Sequence, residues 1–433
     1  MVKICFVLLL ERGHFTICSA IGKYLLAKDI KNEIYFIVDD EFENIVRDDC
    51  NLFKIVKFKQ PEIVNKSPIV LNKILDTWKL DKYERYGFFC EKFISLLNLW
   101  RNRDKLIAGL IDELKPDFVF IENLFNIPSL MNKDYKWGMI ISTNPLRIGD
   151  QENHFPMNTG CVDKEEAKKY LNIFKEKSKN FFHSLDDWYK ENNLIRKPSL
   201  SYVQGSEYLN IFLFPEELNY FQPNELSGKW FQIENTIINS SVENKMKIYQ
   251  NFNPTGKEIL TKEFLQKPGK LILVSLGTVL TRNIDLFKEI IPFMKNIPHK
   301  FIVSKGKFGD QIELPNNCIG SNFLNQLEFL PMVDLFISHG GNNSLCEAFY
   351  FGVPMVIIPG FGDQIDNAAI LENKKLSKTI FLNDFTEENL KKSIDFMFKN
   401  ENIKNEMSKI SEKIKKKDKL NELCELILKE CSA

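Results

Sequence analysis

The chain lacks a charge imbalance: 58 Lys plus Arg are matched by 58 Asp plus Glu. Zero net charge supplies no general attraction for nucleic acid or an anionic membrane surface. It also lacks paired cysteines. The nine present are an odd, scattered set with no Cys-x-x-Cys and no metal-like spacing, which points to free thiols in a reducing cytosol. No stretch reaches the ~18 continuous apolar residues of a membrane span. The apolar start "MVKICFVLLLERGHF" has one Lys before its run, no small-residue cleavage site, and Glu11-Arg12 ending it abruptly. It reads as a buried first strand rather than a leader. No convincing Asp-x-Asp metal element is present either; "VDDE" (38–41) and "RDDC" (47–50) read as loop or surface acids. Membrane insertion, nucleic-acid binding and a dedicated metal site are not expected, and the expected location is the cytoplasm.

The chain does have apolar mass. Its 433 residues are 44% hydrophobic and 27% charged, enough for two or three globular domains. Short apolar runs alternate with amphipathic segments. Strands are expected at 2–10, 33–40, 117–121 and 136–143, and again at 270–278, 299–306, 333–341, 354–360 and 378–382. Helices fit at 15–29, before Pro116, and at about 283–297, 325–332, 342–352, 363–377 and 386–400. This α/β rhythm predicts two Rossmann-like halves with parallel sheets, ligands lying beyond the carboxyl ends of the strands and the two sets of ends facing a central cleft. A polar stretch from about 225 to 270 marks the junction, placed near 235–250.

One segment concentrates small and polar groups at strand ends: "DLFISHGGNNSLCEAFYFGVPMVIIPGFGDQIDNA", Asp334 to Ala368. His339-Gly340-Gly341 follow a buried strand, and Asn342-Asn343-Ser344 open a helix. Glycines let a ligand approach the backbone, and free N–H groups at a helix start attract an anion. His339, Asn343 and Ser344 can donate to phosphate oxygens, and Glu347, one turn on, can accept from ribose hydroxyls. Taken alone, His-Gly-Gly is equally a strand-to-helix turn with a buried histidine. Asp363 reads as an ordinary N-cap, yet Asp363 and Gln364 side by side also suit vicinal sugar hydroxyls.

The same segment resembles the donor-binding signature of the family 1 UDP-glycosyltransferases, with its HGG-x-x-S-x-x-E and terminal D-Q at the family's spacing. The resemblance implies a GT-B fold: an acceptor-binding domain over residues 1–235, a UDP-sugar-binding domain over 236–402, and a last helix over 403–433 crossing back to the first domain. It implies that His339, Gly341, Asn343 and Ser344 hold the diphosphate, Glu347 the ribose, and Asp363 and Gln364 the sugar. A terminal Gln resembles members that prefer glucose. "VSLGT" (274–278) matches a family loop, which places Ser275, Gly277 and Thr278 near the diphosphate. Where many members carry Trp-x-Pro-Gln, this chain has Phe323-Leu324-Asn325-Gln326. Phe323 then either stacks on uracil over a smaller face or packs in the core, and Gln326 bonds uracil or ribose.

In the first half, "LLLERGHFT" puts His14 just past a strand, where the family carries its catalytic base. Glu122, ending the strand in "KPDFVFIENLF", stands where the family usually has the orienting Asp; a surface Glu at a strand end is the competing reading. The implied reaction is a metal-independent, single in-line displacement with inversion. The donor is a UDP-sugar, expected to be UDP-glucose, used as a substrate with no separate cofactor. The acceptor is a hydroxyl of a small lipophilic molecule, in detoxification of xenobiotics or secondary-metabolite glycosylation. Aromatic segments at 78–100, 153–160 and 179–190 are mostly core, with Phe88, Phe155 or Trp188 as candidate acceptor contacts, and "STNP" (142–145) as a border of the site. No obligate protein partner is evident. The rival readings are a non-catalytic UDP-sugar-binding pseudoenzyme and another GT-B enzyme such as a sugar-nucleotide epimerase.

Overall fold

The structure, a computed structural model, describes residues 1–59, 77, 80–149, 155–197, 199–247 and 257–432. It contains two parallel sheets. The first has the order β3-β2-β1-β4-β5-β6-β7, built from β1 (Lys3–Leu8), β2 (Glu33–Val38), β3 (Lys54–Lys57), β4 (Phe118–Glu122), β5 (Lys136–Ile141), β6 (Asn210–Leu213) and β7 (Trp230–Ile233). The second has the order β10-β9-β8-β11-β12-β13, from β8 (Leu271–Ser275), β9 (Lys300–Ser304), β10 (Cys318–Ser321), β11 (Leu335–Ser338), β12 (Met355–Ile357) and β13 (Ser377–Thr379). Both are the doubly wound arrangement that continuous apolar strands separated by helices require, because each sheet must be covered on both faces.

Side-chain register shows why the first sheet holds. Phe6 on β1 pairs with Phe36 on β2 and with Phe120 on β4. Their rings stack at 5.2 and 5.7 Å, all three fully buried. Each such ring pair contributes about 0.5–1.5 kcal/mol beyond the area it buries.

Six helices position the site: α1 (Arg12–Lys28), α2 (Lys82–Leu114), α3 (Asn342–Phe351), α4 (Asp363–Asn373), α5 (Glu401–Lys415) and α6 (Lys419–Ser432). The long α2 starts at Asp81, whose carboxylate accepts from the N–H groups of Tyr83 and Glu84, and stops at Lys115 in the left-handed region before Pro116. Its Phe93, Leu97 and Trp100 are buried, as helical spacing predicts. The expected terminal helix over 403–431 is two helices, broken at 416–418. The second, α6, lies on the first domain: Cys424 Sγ contacts Ile21 O at 3.8 Å and Lys28 pairs with Glu425 at 3.0 Å.

Several sequence expectations are corrected. β3, β6, β7 and β10 were not expected, and β7 and the helix Ser240–Met246 lie inside the stretch read as loop. The expected helix 283–297 is Ile284–Ile290 followed by a 3-10 turn, and the strand expected at 378–382 is Ser377–Thr379. Asp363 is not an N-cap: the cap of α4 is Gly362, at φ +63, and Asp363 is the first helical residue. His154 lies outside the described residues.

The two domains meet through specific bonds. Asp366 on α4 is buried, and its carboxylate accepts from the backbone N–H groups of Asn158, Thr159 and Gly160 at 2.5, 3.0 and 2.8 Å. Removing that acceptor leaves three amides of the first domain without a partner. Asp366→Ala should therefore destabilise the protein by on the order of 3 kcal/mol in urea unfolding. A loss below about 1 kcal/mol would show that the 158–160 loop does not depend on this carboxylate.

Candidate active site

The first-domain half of the site grows from the register of β1 and β4. Leu8 lies opposite Glu122, and the Leu9 N–H donates to Glu122 O at 3.0 Å. The chain turns at once, so His14 falls on the first turn of α1, facing the end of β4. His14 Nδ1 is 2.7 Å from Glu122 Oε1. Ser142, directly after β5, donates to the same Oε1 at 2.6 Å and lies 3.2 Å from His14 Nδ1. Glu122 is 1% exposed, which excludes the surface reading. A buried carboxylate accepts, so Nδ1 of a neutral His14 carries the proton and Nε2 keeps its lone pair. Burial by itself lowers the His14 pKa. The Glu122 charge and hydrogen bond, helped by Glu11 and Asp363, outweigh burial and the net shift is upward.

The second-domain half follows β8 and β11. His339 sits where any side chain on two neighbouring glycines would strike it. A Cβ on Gly341 would lie 2.3 Å from His339 Nε2, and one on Gly277 would lie 2.6 Å away. Gly277 also has φ +70, a conformation side chains disfavour. Burial pushes the His339 pKa down to about 4, against a hydrogen bond with the Ser275 backbone. The ring is neutral at ordinary pH: it offers an N–H dipole, not a positive charge. Gly341 caps α3 with no side-chain cap bond, so the first-turn amides of α3 are left for an anion.

Gln326, Ser344 and Glu347 form one cluster. Gln326 Nε2 donates to the Glu347 carboxylate and lies 3.2 Å from Ser344 Oγ. Burial raises the Glu347 pKa to about 7, with the Gln326 bond acting the other way. Phe323 is 45% exposed, so it is not core. The Arg12 guanidinium of the first domain lies over its ring at 5.1 Å. Thr278 is exposed and Ser275 half-buried at the end of β8.

Two expected ligand contacts are otherwise engaged. Asn343 Nδ2 donates to Gly13 O across the cleft at 2.7 Å. Gln364 is 6% exposed, and its Oε1 accepts from Gly360 N–H at 2.9 Å, bracing the turn before α4. Asp363 Oδ2 accepts from Asn144 N–H at 3.3 Å, and burial raises its pKa against the pull of Arg147. The "STNP" stretch thus borders both halves. Trp188 is 1% exposed, with its Nε1 bonded to Asp104 at 2.6 Å, and does not reach the cleft.

Sequence reasoning missed the cross-domain bonds. Asn342 Nδ2 donates to Ser142 O at 2.8 Å and to Leu213 O at 2.6 Å. Glu11 and Arg282 pair at 3.4 Å. Among the described residues, no group of three or more His, Cys, Asp or Glu could hold a metal ion, and no helix is long and apolar enough to cross a membrane.

Comparison with known proteins bears on the family likeness and the fold. Residues 238–423 match the family described as UDP-glucoronosyl and UDP-glucosyl transferase. The uncharacterised UDP-glucosyltransferase YdhE of Bacillus subtilis (strain 168) is 31% identical over 164 residues, 37% of this chain and 42% of that protein. UDP-glucuronosyltransferase 3A2 of Homo sapiens is 34% identical over 137 residues, 30% of this chain and 26% of that protein. The chain therefore aligns with less than half the length of these relatives. The whole chain superposes on the glycotransferase of kitacinnamycin, with a TM-score of 0.67, 17% identity and 99% of each chain covered. It also superposes on CalG4, the calicheamicin glycosyltransferase, with a TM-score of 0.66, 14% identity, and 100% and 98% covered. The fold is GT-B.

The glycines around His339 yield a direct test. Gly341 has φ −61, which alanine tolerates, so Gly341→Ala strains only the imidazole contact. The variant should fold normally and bind UDP at least about tenfold more weakly by calorimetry. Unchanged affinity would remove His339 from the nucleotide site.

Proposed function

We infer, from a chain that carries a UDP-glucoronosyl and UDP-glucosyl transferase domain on a GT-B fold, that it is an inverting glycosyltransferase moving a hexose from a UDP-sugar to a hydroxyl of a small acceptor. The observation that carries this reading is the 2.7 Å His14–Glu122 contact, with the neighbouring Gly13 tied by Asn343 to the helix that follows His-Gly-Gly. One domain thus supplies a base and the other an anion-binding helix start, across one cleft.

His14 Nε2 takes the acceptor proton while the acceptor oxygen bonds to the anomeric carbon. The carbon–oxygen bond to UDP breaks on the opposite face, and UDP leaves with the electron pair. An α-linked donor becomes a β-linked product. Glu122 fixes the His14 tautomer and stabilises the imidazolium that forms. Ser142 holds the Glu122 carboxylate in place. The amides of α3, with the neutral His339, meet the diphosphate as its charge develops. Ser344 and Glu347 meet the ribose; Phe323, with Gln326 beside it, offers a face for the base. Asp363 and the Gln364 amide meet the sugar, and the glutamine favours UDP-glucose. The UDP-sugar is a substrate, no metal or separate cofactor takes part, and the setting is the cytosol. The acceptors are hydrophobic metabolites or xenobiotics.

His14→Ala should lower kcat by about 10²–10⁴-fold and leave UDP affinity nearly unchanged, because base and nucleotide sites lie in different domains. Full turnover by this variant, or loss of UDP binding with the fold intact, would contradict the assignment. The pH profile is a second test. A base works unprotonated, so kcat/KM should rise with pH through the raised His14 pKa. Glu122→Gln removes the charge that holds that pKa up, and burial then dominates. Its acid limb should move to lower pH, with a reduced plateau. An acid limb that stays in place would mean that Glu122 does not act on His14.

A further inference from the structure

One arginine stands among the acids of the cleft. Arg147 ends the 3-10 turn Pro145–Arg147, just after β5, and is 4% exposed. Its Nε donates to Thr143 Oγ1 and its Nη1 to Leu124 O, both at 3.3 Å. The guanidinium therefore bridges the carboxyl ends of β4 and β5. Leu124 is two residues beyond Glu122, and Thr143 follows Ser142, which donates to the Glu122 carboxylate. The same turn carries a tie to the second domain. Asn144 caps it by accepting from Leu146 N–H at 2.9 Å, and donates its own N–H to Asp363 Oδ2 at 3.3 Å.

Arg147 makes no ion pair among the described residues; its printed partners are two neutral oxygens and the Phe93 ring, 5.6 Å from the guanidinium carbon. A buried guanidinium is costly, and arginine does not shed its charge. Acids that it does not touch offset that cost. Asp363 acts on it most, then Tyr202, Asp366 and Glu122. The influence is mutual. At Asp363, burial favours the neutral acid, and Arg147 is the strongest influence the other way, ahead of the Asn144 N–H and of His14. Asp366, one turn on along α4, and Tyr220 are the other titratable groups that feel Asp363. Glu122 and Asp366 are buried and Asp363 is half-buried, which leaves Asp363 open to a ligand. A carboxylate accepts at both oxygens, whereas a protonated acid gives up part of that capacity.

Resting on the glycosyltransferase reading, we propose that Arg147 is a positioning residue for the donor sugar: without touching the sugar, its buried charge is the counter-ion of the Asp363 carboxylate that takes the sugar hydroxyls. The counter-charge belongs to the first domain, although Asp363 belongs to the second. The turn that holds Arg147 also fixes the direction of the acid, through the Asn144 N–H.

The test titrates UDP-glucose and UDP separately into the full chain between about pH 6 and pH 8 and reads the ratio of the two affinities, because UDP lacks the sugar that Asp363 meets. The Asp363 pKa is raised in the folded chain, so its charge is lost as pH falls through that value. Arg147→Gln removes the charge that opposes burial, and Asp363 then takes its proton at higher pH. The UDP-glucose to UDP ratio of Arg147→Gln should fall at least about tenfold below the wild type at the acid end and recover towards the alkaline end. Arg147→Lys keeps a charge and should stay within about threefold of the wild type throughout. In an Asp363→Asn background the ratio should be low at every pH, and Arg147→Gln should lower it no further. An unaltered ratio in Arg147→Gln, a loss that does not recover with pH, or a further loss in the Asp363→Asn background would overturn the proposal. Should Arg147→Gln fail to fold, Arg147→Lys carries the test, and a loss of about tenfold at every pH would overturn it. Glucose transfer with a ratio unaltered by Arg147→Gln would remove this role and keep the transferase. A charge-dependent ratio with no transfer to any acceptor would keep the role and remove the transferase.

Discussion

The functional groups of this chain stand at the carboxyl ends of parallel strands, and the two sets of ends meet because side chains of one domain satisfy backbone groups of the other. Asn342 reaches the carbonyls of Ser142 and Leu213; Asn343 reaches Gly13; Asp366 gathers three amides of the 158–160 loop. The bonds of Asn342 and Asp366 engage buried side chains, which makes them costly to remove one at a time. Burial is the largest cause of the upward shifts of Glu347, Asp363 and Asp366 and of the downward shift of His339. A charge that develops in such a place is met by fixed dipoles rather than by water, and each dipole counts for more.

One turn of backbone couples the two halves. Glu11 pairs with Arg282, Arg12 lies over Phe323, Gly13 accepts from Asn343, and His14 is held by Glu122. Three of these four residues touch the nucleotide-side domain, and the fourth is the base. The residues that flank His14 are thus tied directly to the second domain.

Much of this was legible in the sequence. Runs such as "LILVS" and "LFIS", each followed within two residues by a glycine, identify buried strands, and the polar residues just beyond them lie at strand ends. The strand-end positions of His14, Glu122 and His339 follow from that pattern; their roles, and that of Glu347 inside the helix, come from the family resemblance. The short strands were not legible. "KIVK", "NIFL", "WFQI" and "CIGS" are four residues each, too short to show a period, and three of them are sheet edges and the fourth is next to one, where pairing decides the matter. The long α2 was hidden by "RNRDK" in its middle. Arg103 and Asp104 are buried there, and Asp104 bonds Trp188 Nε1 and Ser129 Oγ, a tertiary network with no local pattern. The cross-domain roles of Asn342, Asn343 and Ser142 were out of reach for the same reason: an asparagine after two glycines reads as a helix start, and nothing local says that its amide crosses a cleft.

The stereochemistry of the product tests the in-line displacement most directly. The purified protein, UDP-α-D-glucose and a hydroxyaryl acceptor would be incubated with chelator, and the anomeric proton of the product read by NMR. A β-glucoside with its large H1–H2 coupling is expected if His14 delivers the acceptor oxygen opposite the leaving UDP. An α-glucoside would mean that the oxygen arrives from the same side as UDP, and the placement of base and donor across the cleft would be wrong.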